Sequence, residues 1–161
     1  MFALITASNV VAGSLVVGCA ATSKGPARLG GYAVTASTSD TKALSASLYE
    51  VDADGTIAWG GGVSAQDGKT TWSGRLTDEQ CRSIERLLRE DGWLRREPPT
   101  SGQPESMRTV VDVSGPSGTK RWTLRGHGPE LDRLLAELES VSLARLDGYL
   151  RTLPTAGDPN P

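Results

Sequence analysis

Histidine is nearly missing from this chain, with one in 161 residues, and cysteine is almost as rare at two. The lack of both excludes a zinc site of the usual Cys/His spacing, and a histidine-dependent reaction has only His127 to draw on. Two cysteines cannot build a disulfide scaffold. An excess of charge of one sign is lacking too: 17 Lys and Arg face 19 Asp and Glu, for a net charge of −2. No run of five or six like charges occurs, so composition points to no nucleic-acid partner. Reactive motifs are equally scarce. There is no Gly-x-Ser-x-Gly elbow, and the glycine run Gly60-Gly61-Gly62 lacks the Lys and Ser/Thr of a phosphate-binding loop. Asp52-Ala53-Asp54-Gly55 has aspartates at calcium-loop spacing but no glycine at the sixth position and no glutamate at the twelfth. No cofactor and no metal are implied.

What is present starts at the amino end. Residues 1–18 carry no charge, yet Thr6, Ser8, Asn9, Gly13 and Ser14 interrupt the apolar stretch. A permanent membrane span needs roughly 20 predominantly apolar residues, so a removable export signal fits this segment better. It ends in Leu15-Val16-Val17-Gly18-Cys19. That run, with aliphatic Val16, branched Val17 and small Gly18 before a cysteine, resembles the lipobox of bacterial lipoproteins. The resemblance implies that Val16, Val17 and Gly18 are read by the signal peptidase. It also implies that Cys19 is acylated and becomes the first residue of a membrane-anchored protein. One acyl chain holds a protein only reversibly, at about 0.8 kcal/mol per buried methylene; lipoproteins of this kind carry two or three. Ala20 stands where an inner-membrane retention signal has Asp, so in a Gram-negative envelope the outer membrane is the expected destination. The first basic residue, Lys24, follows Cys19, which implies a start upstream of Met1 or an unusual signal. The expected location is the cell envelope, facing periplasm or exterior.

With Cys19 acylated, Cys81 stands alone. It falls on the apolar face of a predicted helix, where a free thiol behaves as a small hydrophobe.

Residues 19–42 are rich in Ser, Thr, Gly and Ala and read as a flexible tether, reaching on the order of 25–30 Å. The α+β domain is expected over 43–150. Leu44, Ala46 and Leu48 alternate with Ser45, Ser47 and Tyr49, which predicts a half-buried strand with the leucines inward. Asp54-Gly55 marks a turn. A strand over 56–60 then carries Ile57 and Trp59 on one face, and after Asp67-Gly68 a third strand over 69–76 carries Trp72 and Leu76. Thr77 and Gln80 form a capping box, and Cys81, Ile84, Leu87 and Leu88 recur at helical spacing up to Gly92. Arg82, Arg86, Arg89, Arg95 and Arg96 are interleaved with acids, as on a solvated helix face. Pro98, Pro99 and Pro104 exclude regular structure from the loop that follows.

Thr109, Val111 and Val113 then predict a fourth strand, and Trp122 with Leu124 a fifth. Pro129 opens an amphipathic helix through Leu131, Leu134, Leu135, Leu138 and Val141. Residues 143–150 extend it or form a short helix, and 151–161 read as a disordered tail. The order βββ-α-ββ-α predicts an α+β fold: an antiparallel sheet of about five strands with two helices on one face. It is similar, in order of elements, to small exported α+β domains of unknown function.

The face away from those helices is the expected contact surface, through Tyr49, Thr71, Ser73, Arg121 and Thr123. The tryptophans are expected in the core; turned the other way, they would form an aromatic platform for a peptide, sugar or peptidoglycan. The reading is therefore a lipid-anchored, non-catalytic interaction module for an envelope protein or cell-wall component. A small exported hydrolase or ligand sensor using His127 is the alternative.

Overall fold

Alternation writes most of the sheet. In the computed structural model, which describes residues 28–95, 99, 102 and 106–151, inward residues at every second position define six strands. They are β1 (Ala33–Asp40), β2 (Ser45–Val51), β3 (Thr56–Gly61), β4 (Trp72–Arg75), β5 (Met107–Gly115) and β6 (Gly118–Arg125). They form one antiparallel sheet in the order β4-β3-β2-β1-β5-β6. Among the described residues the helical segments are α1 (Val63–Gln66), α2 (Asp78–Glu90), α3 (Pro129–Ser142) and α4 (Ala144–Leu150). The α+β class and the antiparallel sheet are as the sequence predicts, with one strand more.

Helix α2 starts where its chemistry requires. The Gln80 amide donates to Thr77 Oγ1 at 3.2 Å, and the Thr77 amide donates to Gln80 Oε1 at 2.8 Å. Two amides that no helical carbonyl can reach are thereby satisfied reciprocally. At the other end Gly92 takes φ 73°, and the Trp93 amide returns to the Leu88 carbonyl at 3.2 Å. This backward bond closes the helix and turns Trp93 into the core, where it is fully buried. Pro129 opens α3, supplying a fixed φ where its missing N–H costs nothing.

Helices α2 and α3 cover one face of the sheet. Val34, Ala36, Val51, Ile57, Val111 and Val113 from the strands meet Ile84 and Leu88 of α2 and Leu131, Leu134 and Leu138 of α3. Each fully buried aliphatic side chain contributes about 1.5–3 kcal/mol relative to exposure. Cys81 belongs to this core; burial, then the nearby Asp78 carboxylate, push its thiol pKa up, and a thiol kept protonated is a poor nucleophile.

Three expectations need correction. The tether read over 19–42 contains β1, the strand between β2 and β5, and even Leu29 is fully buried. Thr35, Ser37 and Ser39 suggest a linker by composition, yet they only occupy the outward positions that alternate with Val34, Ala36 and Thr38. Second, β2 is turned over. Leu44 lies outside the strand in a turn at φ 50° and is 84% exposed, while Tyr49 and Val51 enter the main core. Ala46 and Leu48 are buried on the opposite face against Ala65 of α1. A strand with apolar residues on both faces gives alternation no means of choosing the inner one. Third, α1 is a single helical turn that the sequence reading missed between β3 and β4. The signal residues Val16, Val17, Gly18 and Cys19, Arg96, most of the proline loop and residues 152–161 lie outside the described residues.

Candidate functional site

The strand registers sort every sheet residue to a face. One row runs Trp72, Trp59, Tyr49, Ala36, Val111, Trp122 across all six strands. Ala36 and Val111 belong to the main core, so this whole row lies on the helix-covered face. The tryptophans therefore point inward, as expected, and no aromatic platform faces outward from the strands. Tyr49 joins them at 7% exposure, and burial raises the pKa of its hydroxyl. It is removed from the expected contact surface for the reason given above: β2 is inverted.

The opposite face holds the neighbouring row Ser73, Ala58, Glu50, Thr35, Asp112, Arg121, and beside it Gly60, Leu48, Ser37, Val110, Thr123. Ser73, Arg121 and Thr123 thus sit on the face assigned to them and are exposed. Thr71 is exposed just ahead of β4, its amide bonded to the Trp59 carbonyl at 2.8 Å. Yet these residues are not one patch. Ser73 and Arg121 end the same row on opposite edges, five strand spacings or about 24 Å apart.

The cover on this face is uneven. Over β2 and β3, α1 lies on Ala46 and Leu48, and the return to β4 crosses Gly60, where any Cβ would meet the Lys69 carbonyl. The buried apolar residues of α2 and α3 are committed to the opposite face, and the outward side chains of β1, β5 and β6 are exposed or half-buried. There the structure brings together Arg121 and Thr123 with Thr35, Ser37, Arg108, Val110, Asp112 and Arg125. Arg108, Asp112 and Arg125 escaped the sequence reading. Their signal was the same alternation that placed Thr109, Val111 and Val113 inward, read for its outward half.

Electrostatics divides this region in two. Arg121 makes a two-pronged contact with Asp112, Nε to Oδ1 at 2.6 Å and Nη2 to Oδ2 at 2.7 Å. The carboxylate holds the guanidinium pKa above its ordinary value. Arg108 and Arg125 are direct partners across β5 and β6, both exposed, and neither has an acidic partner among the described residues.

Elsewhere, His127 Nδ1 lies 2.9 Å from Asp132 Oδ1 one turn into α3. Both side chains are about half exposed, and among the described residues no hydroxyl or thiol is bonded to this imidazole. A broad depression of about 890 Å³ lies along α2, lined by Glu79, Arg82, Glu85, Arg86 and Arg89 with Glu137 of α3. Its acids and bases alternate, as on a solvated helix face. Among the described residues no group of three His, Cys, Asp or Glu side chains is placed to hold a metal, and no helix is long and apolar enough to cross a membrane.

These features define an α+β domain with one helix-covered face and one face left half open. No protein-family model matches the chain, and no curated protein matches it.

Proposed function

We propose that this protein is a lipid-anchored component of a bacterial cell envelope and that its α+β domain is a non-catalytic interaction module. Cys19 is the anchor, with Val16, Val17 and Gly18 as the recognition sequence. The partner is another envelope protein, met by the open half of the sheet. One observation carries the reading of the domain: the outer side of β1, β5 and β6 presents hydroxyls and guanidinium groups that are exposed or half-buried. Sheets that pack helices on one face and leave the other polar present a rigid, broad surface, suited to binding rather than to enclosing a substrate.

The anchor is tested by labelling cells with a fatty acid, comparing wild type with Cys19→Ser, and fractionating membranes. Label and membrane recovery in wild type, both lost in Cys19→Ser, are the expected result; an unlabelled wild type overturns the anchor. A second reading, a small hydrolase or ligand sensor, has the His127–Asp132 contact in its favour, since a carboxylate can orient an imidazole base. It requires loss of cellular function in His127→Ala without loss of folding.

A further inference from the structure

The open half of the sheet ends at β6, and the pairing shows which backbone groups that edge presents. The Gly126 amide donates to the Met107 carbonyl at 2.8 Å, so this pair is a hydrogen-bonded one. Bonded and non-bonded pairs alternate along an antiparallel ladder. Lys120, Trp122 and Leu124 therefore aim their N–H and C=O groups at β5. Thr119, Arg121, Thr123 and Arg125 aim theirs at the outer edge. The carbonyl of Arg125 is taken there by the Gly102 amide at 3.2 Å; those of Thr119, Arg121 and Thr123 bond no described residue.

The same residues that present backbone outward present side chains to the open face, and their charge is one-sided. Strand β6 reads Gly-Thr-Lys-Arg-Trp-Thr-Leu-Arg, with three cations and no acid. Arg108 and Arg125 also form a non-bonded pair, the closer kind, with Cα atoms about 4.5 Å apart. Like charges directly opposite each other destabilise a sheet. The hairpin neutralises Arg121 with Asp112 four pairs away, while this couple is exposed and has no acidic partner among the described residues. A local rule broken with no compensation among the described residues points to a place where function sets the residue. The edge is also held in place, because Trp122 Nε1 donates to the Trp93 carbonyl at 2.8 Å. The other edge, β4, has four residues and packs against α4.

We propose that β6 is a docking strand for an extended acidic segment of the partner. That segment adds to the sheet through the backbone of Thr119, Arg121 and Thr123 and sets its carboxylates against Arg108 and Arg125. The inference rests on the interaction-module reading and names the partner's chemistry. Strand addition takes its affinity from main-chain hydrogen bonds and its specificity from alternate side chains. A second copy of this chain does not fit the edge, since β6 against β6 would set cations against cations. Charged edges also serve simply to prevent aggregation, and the test must separate the two roles.

The full chain is titrated with the hexapeptide Thr-Glu-Thr-Glu-Thr-Glu, with its Thr-Gln counterpart, and with inorganic phosphate, following backbone amide resonances. The acidic peptide is expected to shift Thr119, Arg121 and Thr123, with affinity falling as salt is raised. The glutamine peptide should bind at least tenfold more weakly. The double variant Arg108→Thr, Arg125→Thr should lose tenfold or more in affinity while its Tm stays the same or rises by about 1–4 °C, because a repulsion is relieved. Unmoved β6 amides, equal binding of both peptides, or the same shifts from phosphate alone would each overturn strand addition. A photo-crosslinker in the cell, at Thr123 or at Ser73, separates the two levels. Capture from Ser73 alone leaves the interaction module standing and removes β6 as its docking strand; capture from neither position removes both.

Discussion

Thr109 is 1% exposed, and its hydroxyl has no hydrogen-bond partner among the described residues. It faces the helix-covered side between Thr38 of β1 and Leu124 of β6. A buried hydroxyl without a partner loses its water and gains nothing in return, a penalty of about 1–3 kcal/mol. Thr109→Val keeps the branched shape that strands prefer and removes the oxygen. It should raise unfolding free energy by roughly 1 kcal/mol, read as a higher urea midpoint with unchanged slope. Glycines at two sites carry the opposite constraint. At Gly61 and Gly74 a Cβ would lie 2.6 Å from the rings of Trp59 and Trp72. Each indole thus folds along its own strand over the missing side chain two residues on. Arg145 adds a further layer, its guanidinium 3.9 Å from the Trp59 ring centre, a cation over the negative face of the indole.

Elements differ in how much of them the sequence discloses, and the difference is physical. Helix α2 is legible throughout, because a capping box, acids in the first turn, a 3.6-residue apolar repeat and a closing glycine act locally. Its prediction is equally local: Thr77→Ala should cost about 0.5–2 kcal/mol, seen as a lower thermal midpoint without change of fold. Strands β5 and β6 are legible too, since their apolar residues, Val110 apart, fall on one face. β1 and β2 are not. In β1 the two inward apolar residues, Val34 and Ala36, are small, and four hydroxyl-bearing neighbours hide them. In β2 the pair Ala46 and Leu48 competes with Tyr49 and Val51, and what decides is the position of α1, a contact distant in sequence. The contact surface inherits that ambiguity residue by residue. Alternation assigns Ser73, Arg121 and Thr123 to the open face because the inward positions of their strands are the more apolar, and it fails for Tyr49 because β2 is apolar on both sides. The Arg108–Arg125 couple became visible only with the register, since 17 residues separate partners that the hairpin sets side by side.

At the scale of the molecule, β1 joins two halves. On one side lies the β2-β3-β4 meander, on the other the β5-β6 hairpin, and the second pairing closes the long loop between Asp40 and Met107. Pairings of such sequence separation are formed late and lost together with the whole structure. Amide hydrogen exchange should therefore show β1 among the slowest segments, opening only by global unfolding, while α1 exchanges through local fluctuation. Rapid exchange in β1 at neutral pH would mean that the two halves are stable separately.

The central place of β1 has a mechanical consequence. It is the first strand of the described chain, so a pull on the residues ahead of Leu29 enters the fold in the middle of the sheet. Along a central strand such a load is directed parallel to its length, against two ladders at once. Hydrogen bonds so arranged resist as a group in shear, whereas a strand peeled sideways from an edge would yield them one at a time.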